Sequence, residues 1–128
     1  MKNIIIRGVY AVGMHNWGTR NLEIGQVFYL KFEPENPYDT NAVAICSDKE
    51  MLRKVAYLKR SDAKFVAGLF KENIPNGPIY LKVKDAPTKF KRQCGPMQRC
   101  NLGFKMDNEH IENIKMICKN QPVELMIN

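Results

Sequence analysis

Apolar and polar residues alternate along most of this chain, which is the pattern of β-strands that bury one face. Short stretches rich in Gly, Pro, Asn and Asp interrupt the alternation and predict tight turns. Gly8 lies inside the first alternating run and predicts a bulge or a bend there. Strands are predicted at residues 4–12, 27–32, 42–47, 51–58, 79–84, 100–106 and 123–127. Short strands joined by tight turns favour a small barrel or a curled sheet.

Two segments instead repeat their apolar residues at helical spacing. Ser61 is the predicted N-cap of the first helix, which should end near Asn73 because residues 75–78 read Pro-Asn-Gly-Pro. The second helix should begin after Asp107 or Asn108. The apolar faces consist of Ala63, Val66, Ala67 and Phe70 in the first helix and Ile111, Ile114 and Cys118 in the second. The fold class is therefore mainly β with two helices (α+β), as a small OB-like or SH3-like β-barrel.

The connection between the second and third strands is the most informative loop of the chain. Pro34 and Pro37 restrict its backbone, and its Asn and Asp side chains can bond to their own main chain, so a rigid polar loop is expected. The aromatic ring of Tyr38 has no evident place in the core. It could stack on a ligand, and Asp39 beside it could accept a hydrogen bond.

A second candidate loop spans residues 13–21 and contains the single tryptophan of the chain. Loops that concentrate aromatic, amide and cationic side chains are frequent ligand sites. Its candidate contact residues are His15, Asn16, Trp17 and Arg20. The alternative is that Trp17 closes one end of the barrel and His15 bonds to the backbone.

At 128 residues, 45% of them apolar, the chain is long enough for one domain with a proper core. We therefore expect one domain over residues 1–128. No apolar run is long enough to cross a membrane, and the start of the chain does not resemble a signal peptide. These features predict an intracellular protein with no membrane partner.

The cysteine pattern gives little support for a metal site. No CxxC pair occurs, and the cysteines and histidines are farther apart than the ligands of structural zinc sites usually are. The residues concerned are Cys46, Cys94, Cys100, Cys118, His15 and His110. We expect no metal and no cofactor, and reduced thiols, although Cys94 and Cys100 could form a bridge in an oxidising compartment.

The net charge of +7 is concentrated in the middle of the chain. Residues 53–64 carry five basic side chains against one acidic, and residues 82–105 carry seven against one. Such clustering is typical of proteins that bind a phosphate backbone, although a solvated basic surface is the alternative. Residues 85–99 are rich in Pro, Gly and charge and predict a mobile basic loop. Within it Lys89, Lys91 and Arg92 surround one aromatic ring, which suits a nucleic-acid strand or equally a disordered loop.

Catalytic motifs are absent from the sequence. It contains no HExxH, Walker loop or GxSxG. Glu33, Glu35 and Asp39 lie close in sequence, but the intervening prolines should direct them apart. We therefore expect a binding protein and not an enzyme.

Several of these segments together resemble one known family. The matching residues are Asn36-Pro37-Tyr38-Asp39, Asn41-Ala42, Gly8-Val9, Val12-Gly13 and residues 55–60, Val-Ala-Tyr-Leu-Lys-Arg. They are similar to the HIRAN domain, a module of helicase-like proteins that also occurs in stand-alone form, and the match extends over residues 4–70. The resemblance implies a HIRAN-type barrel similar to the OB-fold, which captures the 3′-end of single-stranded DNA.

The same resemblance implies roles for individual residues. Tyr38 would stack on the terminal base, while Asp39 and neighbouring backbone groups would meet the 3′-hydroxyl, and Asn36 of the same loop belongs to the binding site. The DNA strand would pass Tyr57, Lys59 and Arg60. The family places its first stacking ring where this chain has Asn16, so Trp17 would have to replace that ring.

The chemistry of Asp39 agrees with this implied function. A carboxylate repels phosphate but accepts a strong hydrogen bond from a hydroxyl group, so a site with Asp39 at its base should prefer a free 3′-OH. The main hypothesis is thus a DNA-binding module for single-stranded 3′-ends, which in a eukaryote would be nuclear and serve DNA repair. The alternatives are an adaptor that holds an acidic protein partner through the basic loop, and an RNA-binding module, for which no 2′-hydroxyl motif is evident.

Overall fold

The computed structural model describes residues 1–14, 21–86 and 96–128 together with the backbone of Thr88 and Lys89. Strands are the most frequent regular element in this part of the chain, as the alternating pattern predicts. They are β1 (Lys2–Val12), β2 (Val27–Phe32), β3 (Val43–Cys46), β4 (Lys54–Leu58), β5 (Tyr80–Val83), β6 (Thr88–Lys89), β7 (Pro96–Met106) and β8 (Glu124–Ile127). The helices are α1 (Arg60–Lys71) and α2 (Ile111–Cys118), the latter preceded by a 3₁₀ turn at Asn108–His110.

Six of the strands close into an antiparallel barrel. The order around the ring is β1, β7, β5, β2, β3 and β4, and β4 returns to β1 through the pairs Ala11 with Leu58 and Val12 with Tyr57. The two remaining strands lie outside the ring, β6 on β7 and β8 on the first half of β1. This architecture confirms the predicted mainly β barrel with two helices.

The predicted irregularity at Gly8 is a β-bulge. Gly8 has φ of +101°, a conformation that favours glycine, and the register with β7 shifts between Arg7 and Val9. The bulge changes which residues face the core. Ile4 and Ile6 are buried before it, and Val9 and Ala11 after it. The inward positions therefore change from even to odd numbers at the bulge, as a single extra residue requires.

The start of α1 differs from the prediction. The helix begins at Arg60, Lys59 occupies the N-cap without a side-chain cap bond, and Ser61 lies in the first turn. Asp62 is 4% exposed and accepts a hydrogen bond from the Tyr10 N–H at 2.9 Å, while the Lys59 N–H donates to the Tyr10 carbonyl at 2.8 Å. Contacts with β1 therefore position this helix end, and no local cap is required. In the described part of the chain, no helix combines the length and apolar character needed to span a membrane.

Strand β7 begins four residues earlier than predicted, so residues 96–99 belong to a strand and not to the expected loop over 85–99. Gln98 explains part of this difference. Its side chain is completely buried, accepts a hydrogen bond from the Leu22 N–H at 2.7 Å and donates to the Leu22 and Asp85 carbonyls at 2.9 and 3.2 Å. A polar residue in the core thus joins β7 to two other segments. This role leaves no signal in the local sequence pattern.

Candidate nucleic-acid interface

The β2–β3 connection is held by one asparagine. The Asn36 Oδ1 atom accepts hydrogen bonds from the N–H groups of Tyr38 at 2.9 Å and Asp39 at 3.2 Å. This is the Asx-type turn that Asn favours. It fixes the backbone of residues 36–39 and directs the ring of Tyr38 outward, where the residue is 87% exposed. The rigid polar loop expected from the prolines is therefore present, and its aromatic ring lies outside the core.

Glu33 connects this loop to the barrel wall. It is 5% exposed, and its carboxylate accepts hydrogen bonds from the Tyr57 hydroxyl at 2.8 Å and from Asn36 Nδ2 at 3.1 Å and forms an ion pair with Lys54. Burial raises the pKa of Glu33, but the hydrogen bonds from Lys54, Tyr57 and Asn36 outweigh burial and hold the pKa below its ordinary value. Glu33 is therefore ionised at neutral pH and anchors the base of the loop to β4.

Arg60, at the start of α1, approaches the same loop from outside. Its guanidinium donates to the Tyr38 carbonyl at 3.0 Å, and its Nε lies 3.5 Å from Asp39 Oδ2. The other carboxylate oxygen of Asp39 accepts a hydrogen bond from the Asn41 N–H at 2.9 Å. The Asp39 carboxylate is thus oriented by the loop on one side and faces a cation on the other. Each of its oxygens keeps room for a further donor, because a carboxylate accepts about four hydrogen bonds.

Two concave surfaces adjoin this corner and share Tyr38, Asp39 and Arg60. One, of about 500 Å³, is polar and also includes Lys64. The other, of about 410 Å³, has a largely apolar lining. Its remaining lining residues are Val12, Asn36, Ala42, Tyr57 and Leu58. The exposed ring of Tyr38 thus lies between an apolar hollow and a polar hollow that contains Arg60 and Lys64. This arrangement has the chemistry to hold a flat heterocycle near an anionic group.

The structure brings together five of the residues that the sequence predicts for the site: Asn36, Tyr38, Asp39, Tyr57 and Arg60 all line the apolar hollow. Lys59 is not among the residues that line either hollow, and its Nζ lies 5.7 Å above the ring of Tyr10. The remaining predicted positions lie outside the described residues. These are His15, Asn16, Trp17, Arg20, Lys91, Arg92 and the side chain of Lys89.

Several lining residues were not predicted. Lys64 lies one helical turn after Arg60, so the i, i+4 spacing on α1 is a signal that could have identified it. Val12 and Leu58 form the apolar lining because β1 and β4 pair at this end of the barrel. No local pattern marks them as site residues, since they read as ordinary strand positions.

The cysteines in the described part of the chain are buried free thiols. They are Cys46, Cys100 and Cys118. Burial raises the pKa of Cys100 to about 12 and that of Cys118 to about 11, so neither is a thiolate at neutral pH. Cys94, the proposed partner of Cys100 in a bridge, lies outside the described residues. Within the described ranges, no three His, Cys, Asp or Glu side chains are grouped as metal ligands.

Comparison with known proteins adds two findings. The model of the HIRAN domain family matches residues 7–76, which include the whole Tyr38 loop and the start of α1. The crystal structure of the HIRAN domain of human HLTF superposes with a TM-score of 0.72 and 18% sequence identity, covering 97% of this chain and 96% of that one. At this identity the likeness establishes the fold. A comparison with curated protein sequences finds no significant match.

Proposed function

Because the chain belongs to the HIRAN domain family, whose members are nucleic-acid-binding modules, we propose that it binds single-stranded DNA at a free 3′-OH end. The observation that carries the proposal is the corner formed by Tyr38, Asp39 and Arg60. It combines an exposed ring on a fixed loop, an oriented carboxylate and a cation. Each of these groups matches one part of a strand terminus: the base, the hydroxyl and the phosphate.

In this proposal the terminal base stacks on Tyr38 and fills the apolar hollow lined by Val12 and Leu58. Stacking of a base on an aromatic ring contributes about 1–3 kcal/mol. Because the loop is already fixed by Asn36, little conformational entropy is lost when the base binds. The ring thus supplies affinity that does not depend on sequence.

The 3′-hydroxyl donates a hydrogen bond to the Asp39 carboxylate, and Arg60 and Lys64 lie beside the adjoining phosphate. A terminal 3′-phosphate would instead bring negative charge against the carboxylate. Two unit charges 4 Å apart repel by about 1 kcal/mol in water and about 4 kcal/mol at the effective dielectric of a protein surface. Discrimination between the two ends should therefore be about fivefold or more.

Fluorescence anisotropy with a labelled oligonucleotide tests the proposal, using matched strands that end in 3′-OH or 3′-phosphate. The 3′-OH strand should bind more tightly, and Tyr38→Ala should weaken its binding about 5-fold to 150-fold, the equivalent of one stacked base. Asp39→Asn should reduce the preference between the two ends. Tyr80→Ala is the matched control, because Tyr80 is an exposed ring on β5 outside both hollows.

Equal affinity for both ends would remove Asp39 from the mechanism and contradict end recognition. The same titration repeated with RNA of the same sequence tests for an RNA-binding module. If no oligonucleotide binds at low salt, the protein is better explained as an adaptor for an acidic protein partner.

A further inference from the structure

A second groove, of about 620 Å³, lies on the outer face of β1, β7 and β5, next to the turn that follows α2. The described residues of its lining are mainly cations and amides, and none of them lines the hollows around Tyr38. The lining side chains include Arg7, Lys84, Arg99, Asn101, Gln121 and Glu124. The proposed 3′-end site does not use any of them.

The bulge at Gly8 shapes this groove. A Cβ atom on Gly8 would lie 3.5 Å from the Pro122 carbonyl oxygen, so the turn after α2 approaches the bulged backbone closely. The positive φ of Gly8 would in addition strain any other residue there. The groove is therefore bounded by backbone on one side and by the exposed strand faces on the other.

Strand register places the basic side chains on one face. Across the β1–β7 ladder, Arg7 pairs with Asn101 and Tyr10 pairs with Arg99. On the other side of β7, the Arg99 carbonyl accepts a hydrogen bond from the Lys84 N–H at 2.9 Å. Directly opposed residues in antiparallel strands project to the same side of the sheet. Arg7, Lys84 and Arg99 are all exposed, so their charges face a common space.

Two carboxylates moderate this charge without cancelling it. Glu124 lines the groove, and Asp85 lies 3.1 Å from Arg99 Nε in an ion pair whose two side chains are both about half exposed. An exposed ion pair of this kind is weak, so a phosphate can compete for the guanidinium. Lys82, which pairs with Asn101, adds a further exposed cation to the same sheet face.

A row of neighbouring residues connects the groove to the corner at Tyr38. Arg99 opposes Tyr10 across the β1–β7 ladder, and Lys59 Nζ lies 5.7 Å above the Tyr10 ring. Lys59 precedes Arg60, which contacts the Tyr38 carbonyl. The surface between the two sites therefore places the Tyr10 ring among three cations, a combination suited to a single strand.

The following inference rests on the proposed function. We infer that the strand whose 3′-end is held at Tyr38 continues over Tyr10 and Lys59. Its upstream phosphates then bind in the groove of Arg7, Lys84 and Arg99. The groove is a second phosphate-binding subsite. It recognises the backbone and not the bases, because the described residues of its lining are mainly cations and amides and include no aromatic ring.

The test compares a trinucleotide, which fills only the end site, with a strand of about 12 nucleotides, within the range bound by one OB-fold. Both carry a 3′-OH, and the dissociation constant is measured over a series of salt concentrations. The variant Arg7→Gln/Lys84→Gln/Arg99→Gln removes the three groove cations. Each phosphate contact on a single strand contributes about 0.7 to the slope of log K against log salt, so the slope for the longer strand should fall by about 2. Binding of the trinucleotide should not change.

The matched control is Lys49→Gln/Lys105→Gln/Lys115→Gln, which removes the same charge from exposed positions that do not line the groove. It should leave the slope for the longer strand close to that of the unmodified protein. Circular dichroism establishes that both triple variants are folded.

An unchanged slope in the groove variant, or an equal loss in the control, would overturn the subsite while the 3′-end proposal stands. If the longer strand depends on the groove cations but neither strand prefers a 3′-OH end, the groove is retained and the end site is wrong. If neither strand binds the unmodified protein, both proposals fail.

Discussion

Replacing Glu33 should destabilise the protein and the loop that carries the candidate site. Three donors converge on its carboxylate: the Tyr57 hydroxyl at 2.8 Å, Asn36 Nδ2 at 3.1 Å and the Lys54 ammonium. Hydrogen bonds to a charged group contribute about 1.5–3 kcal/mol each when they are shielded from water. All three donors are partly exposed, the Lys54 side chain by 29%, so water replaces most of each lost bond. We expect Glu33→Ala to lower the free energy of unfolding by about 2–3 kcal/mol in total.

Glu33→Gln removes the charge of this side chain and nearly keeps its shape. The amide keeps an oxygen acceptor for Tyr57 and Asn36 but loses the charge that attracts Lys54, so a loss of about 1 kcal/mol is expected. For a chain of this length, 1 kcal/mol corresponds to a shift of about 4 °C in Tm. Glu33→Ala should therefore lower Tm by about 10 °C and Glu33→Gln by about 4 °C.

The pH dependence gives a second readout. The pKa of Glu33 is lower in the folded protein than its ordinary value of 4.5, so the folded state releases this proton more readily than the unfolded state. The stability that the charge contributes is fully present above pH 4.5 and is lost as pH falls through the lowered pKa of the folded state. The difference between the unmodified protein and Glu33→Gln should shrink over that range.

Urea unfolding followed by tryptophan fluorescence or circular dichroism measures these differences. Glu35→Ala is the control, because Glu35 is an exposed carboxylate in the same loop and should change stability by less than about 0.5 kcal/mol. A double-mutant cycle of Glu33→Gln with Lys54→Met isolates the ion pair. A loss below about 0.5 kcal/mol for Glu33→Ala, or zero coupling in the cycle, would refute the role assigned to this network.

Two further substitutions test buried polar contacts by urea unfolding. Gln98→Ala should lower the free energy of unfolding by about 2–4 kcal/mol, because the Leu22 N–H and its carbonyl lose their buried partner; a loss near zero would show that water replaces the side chain. Asp62→Ala should cost about 1–3 kcal/mol by leaving the Tyr10 N–H unpaired, whereas Asp62→Asn, which keeps an acceptor, should cost less. Burial raises the pKa of Asp62, so the folded state binds this proton more readily than the unfolded state. The unmodified protein should therefore gain stability relative to Asp62→Asn as pH falls through the raised pKa. A loss of stability over that range would contradict the raised pKa.

The sequence by itself determined the features that depend on short-range pattern. Alternation located the strands of the barrel, helical spacing located α1 and α2, and Gly8 marked the bulge that changes the inward-facing positions of β1. The Asn-Pro-Tyr-Asp turn was predictable in the same way, because its geometry is set by hydrogen bonds between residues two or three apart. An exposed Tyr38 beside Asp39 therefore followed from local chemistry alone.

The tertiary structure decided which distant residues join that turn. The start of α1 moved from the predicted Ser61 because its backbone bonds to Tyr10, more than forty residues away in sequence. Gln98 is buried because its amide pairs with a segment 76 positions earlier. Val12 and Leu58 become the lining of a hollow only when β1 and β4 meet to close the barrel. Contacts between residues far apart in sequence leave no periodic signal, since strand order and register create them only after the whole chain has folded.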